Sequence, residues 1–409
     1  MAISESKVKN ALTDVLSAHF KSGVVIDNLE IVDMPELSVT TDSYRLKVDY
    51  HKSNGKPSSN DNLSVFLQTT STDKSVDFAK LGTKRQEKDY DYKIAELSNE
   101  RGCPVGIVYG RRRENGTTFY FKEDLGDTTL ETKLLNNPSD QGSLLHETIE
   151  RLADLHSKWG NLPTHDMSKE KEILTKWINY IDLTLKSNNR PTLSKNAKNV
   201  IRSALSPLSE FLEYEDIKFY KPIHGDCHPA QIFFRHGKSY FNDFSRVALG
   251  PLPFDVLDIL QYPLVRLDEK GKDELYRFYM MKYSEKLAGT LGFTVARLNE
   301  RTIDEFIMLT YASAFHRSLR AAAKSSLLKK NFPDVYLNYI AKNPFYDLHP
   351  SIYLAQFGES FKPLIENNRY YGLRVGRFND FKSTIIEHLP EIKGPPPILE
   401  LGKKQIVNN

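Results

Sequence analysis

Three stretches in the first third of the chain alternate apolar and polar residues or cluster β-branched and aromatic ones: LEIVDM at 29–34, SYRLKVDY at 43–50 and LSVFLQTT at 63–70. Such runs, bounded by turn residues, predict β-strands, and SNGKPSSND between the last two reads as a hairpin loop. From Asp77 to Leu97 the chain is charged and, apart from Gly82, free of glycine and proline, which predicts a helix. VGIVYGRR and TTFYFKED then form a second hairpin around Glu114, Asn115 and Gly116. Three strands, a helix and two strands predict a small sheet with one helix packed against it.

Beyond Leu125 the period changes. SLLHETIERLADLHSKW at 143–159 sets Leu145, Ile149, Leu152, Leu155 and Trp159 at helical spacing, an amphipathic stripe facing a core that also takes in His156. KEILTKWINYIDLTL, NVIRSALSPLSEFLEY, DELYRFYMMKYSEKLAG and TIDEFIMLTYASAFHRSLRAAAK repeat the helical pattern, with Pro207 kinking or splitting the second. EDLGD at 123–127 is the natural joint, so 1–124 and 125–409 are predicted as two lobes. Residues 1–24 form an added helix on the first, and 394–409, from GPPP onward, form a loose tail.

Composition narrows the function classes. At 409 residues the chain exceeds one simple core. Its 56 Lys and Arg against 53 Asp and Glu leave a net +3, neither a nucleic-acid footprint nor a polybasic membrane anchor. Cys103 and Cys227 cannot build a disulfide framework and have no metal-ligand spacing. The opening MAISESKVKNALTDVLSAHF lacks the basic-then-apolar order of a leader, and no run of 18 apolar residues occurs. The expectation is a soluble cytoplasmic protein, monomer or homodimer, with no nucleic-acid or membrane partner.

The helix-rich part is interrupted at PIHGDCHPAQIFF, residues 222–234, and by the strand pair IFFRHGKSYFNDF, whose HGK turn leads to Asp243. Asp226 and Asp243 thus fall at two backbone ends, with the amide of Gln231 between them in sequence. Two carboxylates and an amide oxygen are hard ligands suited to Mg²⁺ carrying a nucleotide phosphate. That set serves phosphoryl transfer, with one acid orienting the attacking hydroxyl and the other holding metal. His224 is read as structural, and His228 as packing or as touching substrate. Zinc would need further ligands that this spacing lacks. Cys227 is expected to be an inert packed thiol.

HGDCHPAQ and the later NDFSRVALGPLPFDVLDIL resemble the aminoglycoside phosphotransferase and choline kinase-like family, small-molecule kinases with a protein-kinase-like fold. In that family HGD is followed after four residues by Asn; here Gln231 stands there, as it does in members that phosphorylate maltose. FYFKEDLGD resembles the family's hinge, LADLHSKW the helix before the catalytic loop, and AFHRSLRAAA a late helix, so the likeness runs from about residue 40 to 340. It implies a bilobal α+β fold with a small antiparallel-sheet N-lobe and a larger helical C-lobe. It also implies ATP and Mg²⁺, with Asp226 as the catalytic acid, Gln231 and Asp243 on the metal, and Asp255 as the structural aspartate opening the next helix. Glu123 and Asp124 would lie at the adenine through the hinge backbone.

Two positions depart from the family. The third-strand lysine that holds the α and β phosphates is replaced by Gln68, and Glu87 would be its helix partner. Lys47, which shares a face with Arg45, or Lys74 would supply the charge instead. The loop from Val32 to Ser43 has no glycine, leaving Ser38, Thr40, Thr41 and Ser43 hydroxyls to meet phosphate. These departures motivate the alternative of a catalytically silent nucleotide-binding module with a regulatory or scaffolding role. The segment 301–409 carries 15 Lys or Arg against 10 Asp or Glu, which favours a neutral or anionic hydroxyl acceptor such as a sugar over a polycation. Arg317 and Arg320, one helical turn apart, are candidates to bind an acidic acceptor.

Overall fold

The computed structural model describes residues 4–34, 42–53, 61–69, 88–114, 117–160, 220–260 and 264–291, with scattered positions between them. It divides into two compact units: residues 1–130 with 230–246, and residues 131–229 with 247–409. The first unit therefore extends to Leu130 and takes back the hairpin after the HGD loop.

In the first unit, α1 (Glu5–Phe20) buries Val8, Ala11, Leu12, Val15 and Leu16, which recur every three or four residues. The helix stops at Lys21, whose left-handed φ of 51° lets its N–H and that of Ser22 reach back to the last turn. β1 (Val24–Asp33), β2 (Asp42–Lys52), β3 (Asp61–Thr69), β4 (Val108–Glu114) and β5 (Thr117–Glu123) form one antiparallel sheet in the order β1-β2-β3-β5-β4. Alternation along the strands decides its two faces. Tyr44, Leu46, Val48 and Tyr50 of β2, Val65 and Leu67 of β3, and Phe119 and Phe121 of β5 are buried in one core with α1. Leu12 and Leu16 are fully buried there, each contributing roughly 1.5–3 kcal/mol. Close approach matters at one point: a Cβ on Gly110 would sit 2.7 Å from Cγ1 of Val15, so α1 rests on that glycine.

The intervening residues, Arg45, Lys47, Phe66, Gln68, Tyr120 and Lys122, belong to the opposite face, where α2 (Lys88–Glu100) packs through Tyr92 on Tyr120 and Asp89 on Arg111. The sequence pattern starts this helix at Asp77; residues 70–87 lie outside the described ones. β6 (Ile232–Arg235) and β7 (Lys238–Phe241) complete the unit as a hairpin, turned by His236 and Gly237 at φ 50° and 74°. Two successive left-handed residues are what a two-residue hairpin turn needs, and glycine takes the second without strain.

The second unit begins within α3 (Leu130–Asn136) and is built on α4 (Gln141–Trp159), with Leu145, Ile149, Leu152, Leu155 and Trp159 fully buried, as their spacing predicts. α4 packs along α6 (Glu269–Leu291), the helix expected at 273–289. A short sheet joins β8 (His165–Asp166), β9 (Tyr220–Ile223) and β10 (Ala248–Pro251), with β10 in the middle, followed by α5 (Pro253–Leu260). Of the helices expected around 171–185 and 199–214 only scattered positions are described, Asn179, Asp182 and Asn199 among them and all helical, and the one expected at 302–324 lies outside the described residues. The antiparallel-sheet unit and the mainly helical described part of the second unit are the α+β architecture expected from the motifs. Among the described residues no helix is long and apolar enough to cross a membrane.

Candidate active site

The HGD loop leaves β9 inside the second unit, and two acids of α5 hold its backbone. Asp255, fully buried in the first turn, accepts the N–H of His224 and, at 2.8 Å, that of Gly225. Asp258, one helical turn on, accepts the N–H of Cys227 at 2.9 Å. Backbone donors on both sides of Asp226 are therefore fixed by carboxylates, which bond N–H groups more strongly than neutral acceptors do. Gly225 takes φ 75°, the left-handed turn that aims the loop. Asp255 also meets Nε2 of His156 at 2.9 Å, and Nδ1 of His156 meets the Tyr279 hydroxyl at 2.6 Å. Burial pushes the Asp255 carboxyl up, but the hydrogen bond and charge of His156, with help from His224, bring it below the usual range. His156 and Trp159 are core residues, as expected, and His156 is also the strut beneath this aspartate.

Asp226 itself is half-buried. His228 stacks its ring on Tyr262, centroids 6.3 Å apart and planes 10° from parallel, and the Tyr262 hydroxyl donates to Glu131. Burial raises the Glu131 carboxyl, opposed by that hydroxyl. His224 and Cys227 are fully buried.

Gln231 and Asp243 belong to the first unit, where the β6–β7 hairpin brings them together. Asn242 donates its N–H to the Gln231 carbonyl at 3.1 Å, and the Gln231 amide lies 3.4 Å from Oδ2 of Asp243. Asp243 holds φ 60°, a conformation in which aspartate is one of the few tolerated side-chain-bearing residues. Half a turn of the Gln231 amide presents its carbonyl oxygen beside the carboxylate. A carboxylate and an amide oxygen fit Mg²⁺, which fills its octahedron with phosphate and water rather than with a protein cage. No cluster of three His, Cys, Asp or Glu occurs among the described residues.

The remaining candidates spread over the sheet. Lys47 is 62% exposed and pairs across the strands with Glu30 at 3.0 Å. Arg45 pairs with Asp124 at 2.6 Å and Asp127 at 2.7 Å, which raises its already high pKa and holds Asp127 below the usual carboxylate range. Gln68 is half-buried on β3, in register with Ser43 and Tyr120. At the expected hinge, Glu123 donates its N–H to the Ile107 carbonyl and pairs with Arg235. Asp124 donates its N–H to Ser64 and accepts the Ser64 hydroxyl at 2.6 Å. Both N–H groups thus serve the sheet. Lys74, Glu87, Arg317 and Arg320 lie outside the described residues.

One pair escaped the sequence reading. Lys122 of β5, 8% exposed, meets Asp91 of α2 at 3.1 Å. The other Asp91 oxygen accepts the N–H of Phe244, next to Asp243, at 2.7 Å. The trace in the sequence is a lysine directly after the apolar run FYF, and acids at 87, 89 and 91 that the helical phase alone sorts.

No family model matches the chain, and no curated protein matches it. Solved structures with similar folds include a choline/ethanolamine kinase family protein from Mesorhizobium loti, 14% identical, covering 86% of this chain and 92% of that one, with a TM-score of 0.46. Another is a thermostable mutant of an aminoglycoside phosphotransferase in complex with AMP-PNP and hygromycin B, 12% identical, covering 85% and 98%, TM-score 0.42. A third is an amicoumacin kinase in complex with AMP-PNP and Ca²⁺, 15% identical, covering 78% and 87%, TM-score 0.42. At these identities the likeness brings neither substrate nor mechanism to this chain.

Proposed function

We propose that this chain is an ATP-dependent kinase that moves the γ-phosphate to a hydroxyl of a small molecule. The observation that carries the reading is the convergence of Gln231 and Asp243, the amide nitrogen of one 3.4 Å from a carboxylate oxygen of the other, at the base of one hairpin whose Gln231 stands five residues beyond the HGD motif. Asp226 orients the acceptor hydroxyl and takes its proton as the oxygen attacks the γ-phosphorus in line, and ADP leaves. Gln231 and Asp243 would hold Mg²⁺, whose chemistry when bound is to neutralise charge on the nucleotide phosphates. The anchoring of the loop by Asp255 and Asp258 supports this assignment, because a catalytic acid needs a backbone that does not wander. The acceptor is a neutral or anionic alcohol, a sugar being the leading class, which the basic excess of residues 301–409 supports.

An ATP-consumption screen over sugars, amino alcohols and nucleosides tests the reading, together with thermal shifts by ATP with and without Mg²⁺. Turnover on an acceptor is expected to fall at least about 10²-fold in Asp226→Ala while ATP affinity stays. ATP binding without turnover on any acceptor, or turnover indifferent to Asp226→Ala, would favour the silent module instead.

A further inference from the structure

We infer that Lys122 is the phosphate-holding cation of this protein, and that Asp91 is the residue that positions both Lys122 and the Asp243 turn. The inference rests on the kinase reading above and answers what that reading leaves open, the source of the charge that Gln68 lacks.

Geometry places Lys122 where the missing lysine would act. Gln68 is in register with Tyr120 of β5, and Lys122 follows two residues along the same strand, so it shares the face of Gln68 as its diagonal neighbour, roughly 7–8 Å away. That is the sheet face on which α2 packs, opposite the core built with α1. A lysine moved one strand over thus serves the same region as one on β3. The two described cations of β2 on this face are committed elsewhere. Lys47 is exposed beside Glu30 near the sheet edge, and Arg45 is caged by Asp124 and Asp127 at the end of β5.

Burial sharpens the point. The Lys122 and Asp91 side chains are only 10% and 2% exposed. A buried ion pair returns little net stability for the desolvation of two charges, and an apolar pair of equal volume would hold α2 to the sheet as well. The pair also does more than join two elements. Asp91 spends one oxygen on Lys122 and the other on the N–H of Phe244, so a single carboxylate sets the ammonium and the backbone beside Asp243 together. An ammonium has three donors, so Lys122 can hold Asp91 and a phosphate oxygen at once.

The decisive measurement is the affinity of adenosine, ADP and ATP by titration calorimetry without Mg²⁺, so that Asp243 does not enter. The neutral pair Lys122→Met with Asp91→Asn keeps an acceptor for Phe244. It should leave adenosine within about twofold of wild type and weaken ATP about tenfold or more, while Lys122→Arg should retain most of the advantage of ATP. An unchanged ratio of ATP to adenosine affinity in the neutral pair overturns the inference, as does a ratio that collapses in Lys47→Met. A second arm needs no variant: an adenosine acyl-phosphate reagent, which acylates lysines beside bound phosphate, should label Lys122 of the wild-type chain in competition with ATP. Labelling of Lys47 in its place counts against Lys122. A wild-type chain that binds ATP no better than adenosine and takes no label sinks the kinase reading itself, a result distinct from labelling of the wrong lysine.

Discussion

Replacing Asp255 by asparagine removes one charge from beneath the HGD loop and changes almost no volume. In the folded chain one carboxylate oxygen takes Gly225 N–H, and the other takes His224 N–H and Nε2 of His156, all out of water. Asparagine keeps one acceptor oxygen and turns an NH₂ toward the remaining donors. One buried N–H loses its partner, at about 1–3 kcal/mol, and the surviving bonds lose their charge assistance, at about 1 kcal/mol each. The sum is about 3–5 kcal/mol. For a unit of this size that lowers Tm by about 6–20 °C. Urea unfolding at pH 7 and calorimetry would both read it. The pH dependence checks the cause independently. Because the folded carboxyl lies below its unfolded value, its contribution is complete above about pH 4 and is lost as pH falls through the folded value. The difference between wild type and Asp255→Asn should therefore persist from pH 7 down to about 4 and shrink in stronger acid. A loss under about 1 kcal/mol at pH 7, or a loss that grows on acidification, refutes the reasoning.

Three further outcomes follow from particular contacts. Gly110→Ala places a Cβ 2.7 Å from Val15 and should destabilise by about 1–3 kcal/mol, read by urea midpoint, with Val15→Ala partly restoring the loss. Gly225→Ala keeps every side chain of the loop but strains a φ of 75°, and should cost about 1–2 kcal/mol and lower turnover without altering ATP affinity. Leu152→Ala, at a fully buried position of α4, should cost about 2–5 kcal/mol in thermal or denaturant unfolding.

The strands and α4 were legible because one face of each is buried, and burial of one face writes a period into the sequence. SYRLKVDY shows this directly: Tyr44, Leu46, Val48 and Tyr50 face the core while Arg45 and Lys47 face away. The hairpin ending at Asp243 was legible through its turn residues and the HGD motif before it. Lys122 was not, because alternation reports which face a residue occupies and not what packs on that face. A lysine opposite the core reads as solvated until α2 is known to cover it. Asp91 has the same difficulty, since Asp89 and Asp91 are equally plausible helix acids and only the docking of α2 separates a surface pair with Arg111 from a buried one with Lys122. The two-residue strand β8 offers no period at all, and the small sheet of the second unit follows from pairing that is distant in the chain.

Asp243 separates backbone from charge, since its φ of 60° is a property of the turn and its carboxylate a property of the site. Strain of this kind persists where function needs it. Glycine relieves the left-handed conformation, asparagine tolerates it, and alanine has neither the freedom nor a polar side chain to bond locally, a gap of about 1–2 kcal/mol between alanine and glycine. Stability in urea, at constant m, should therefore rank Gly and Asn near wild type and Ala below them. Mg²⁺-dependent ATP turnover should rank differently, with all three variants down at least about 10²-fold, because none carries the carboxylate proposed to hold metal. If alanine proved as stable as glycine, the turn would not be strained; if asparagine kept full turnover, the carboxylate would not be the ligand.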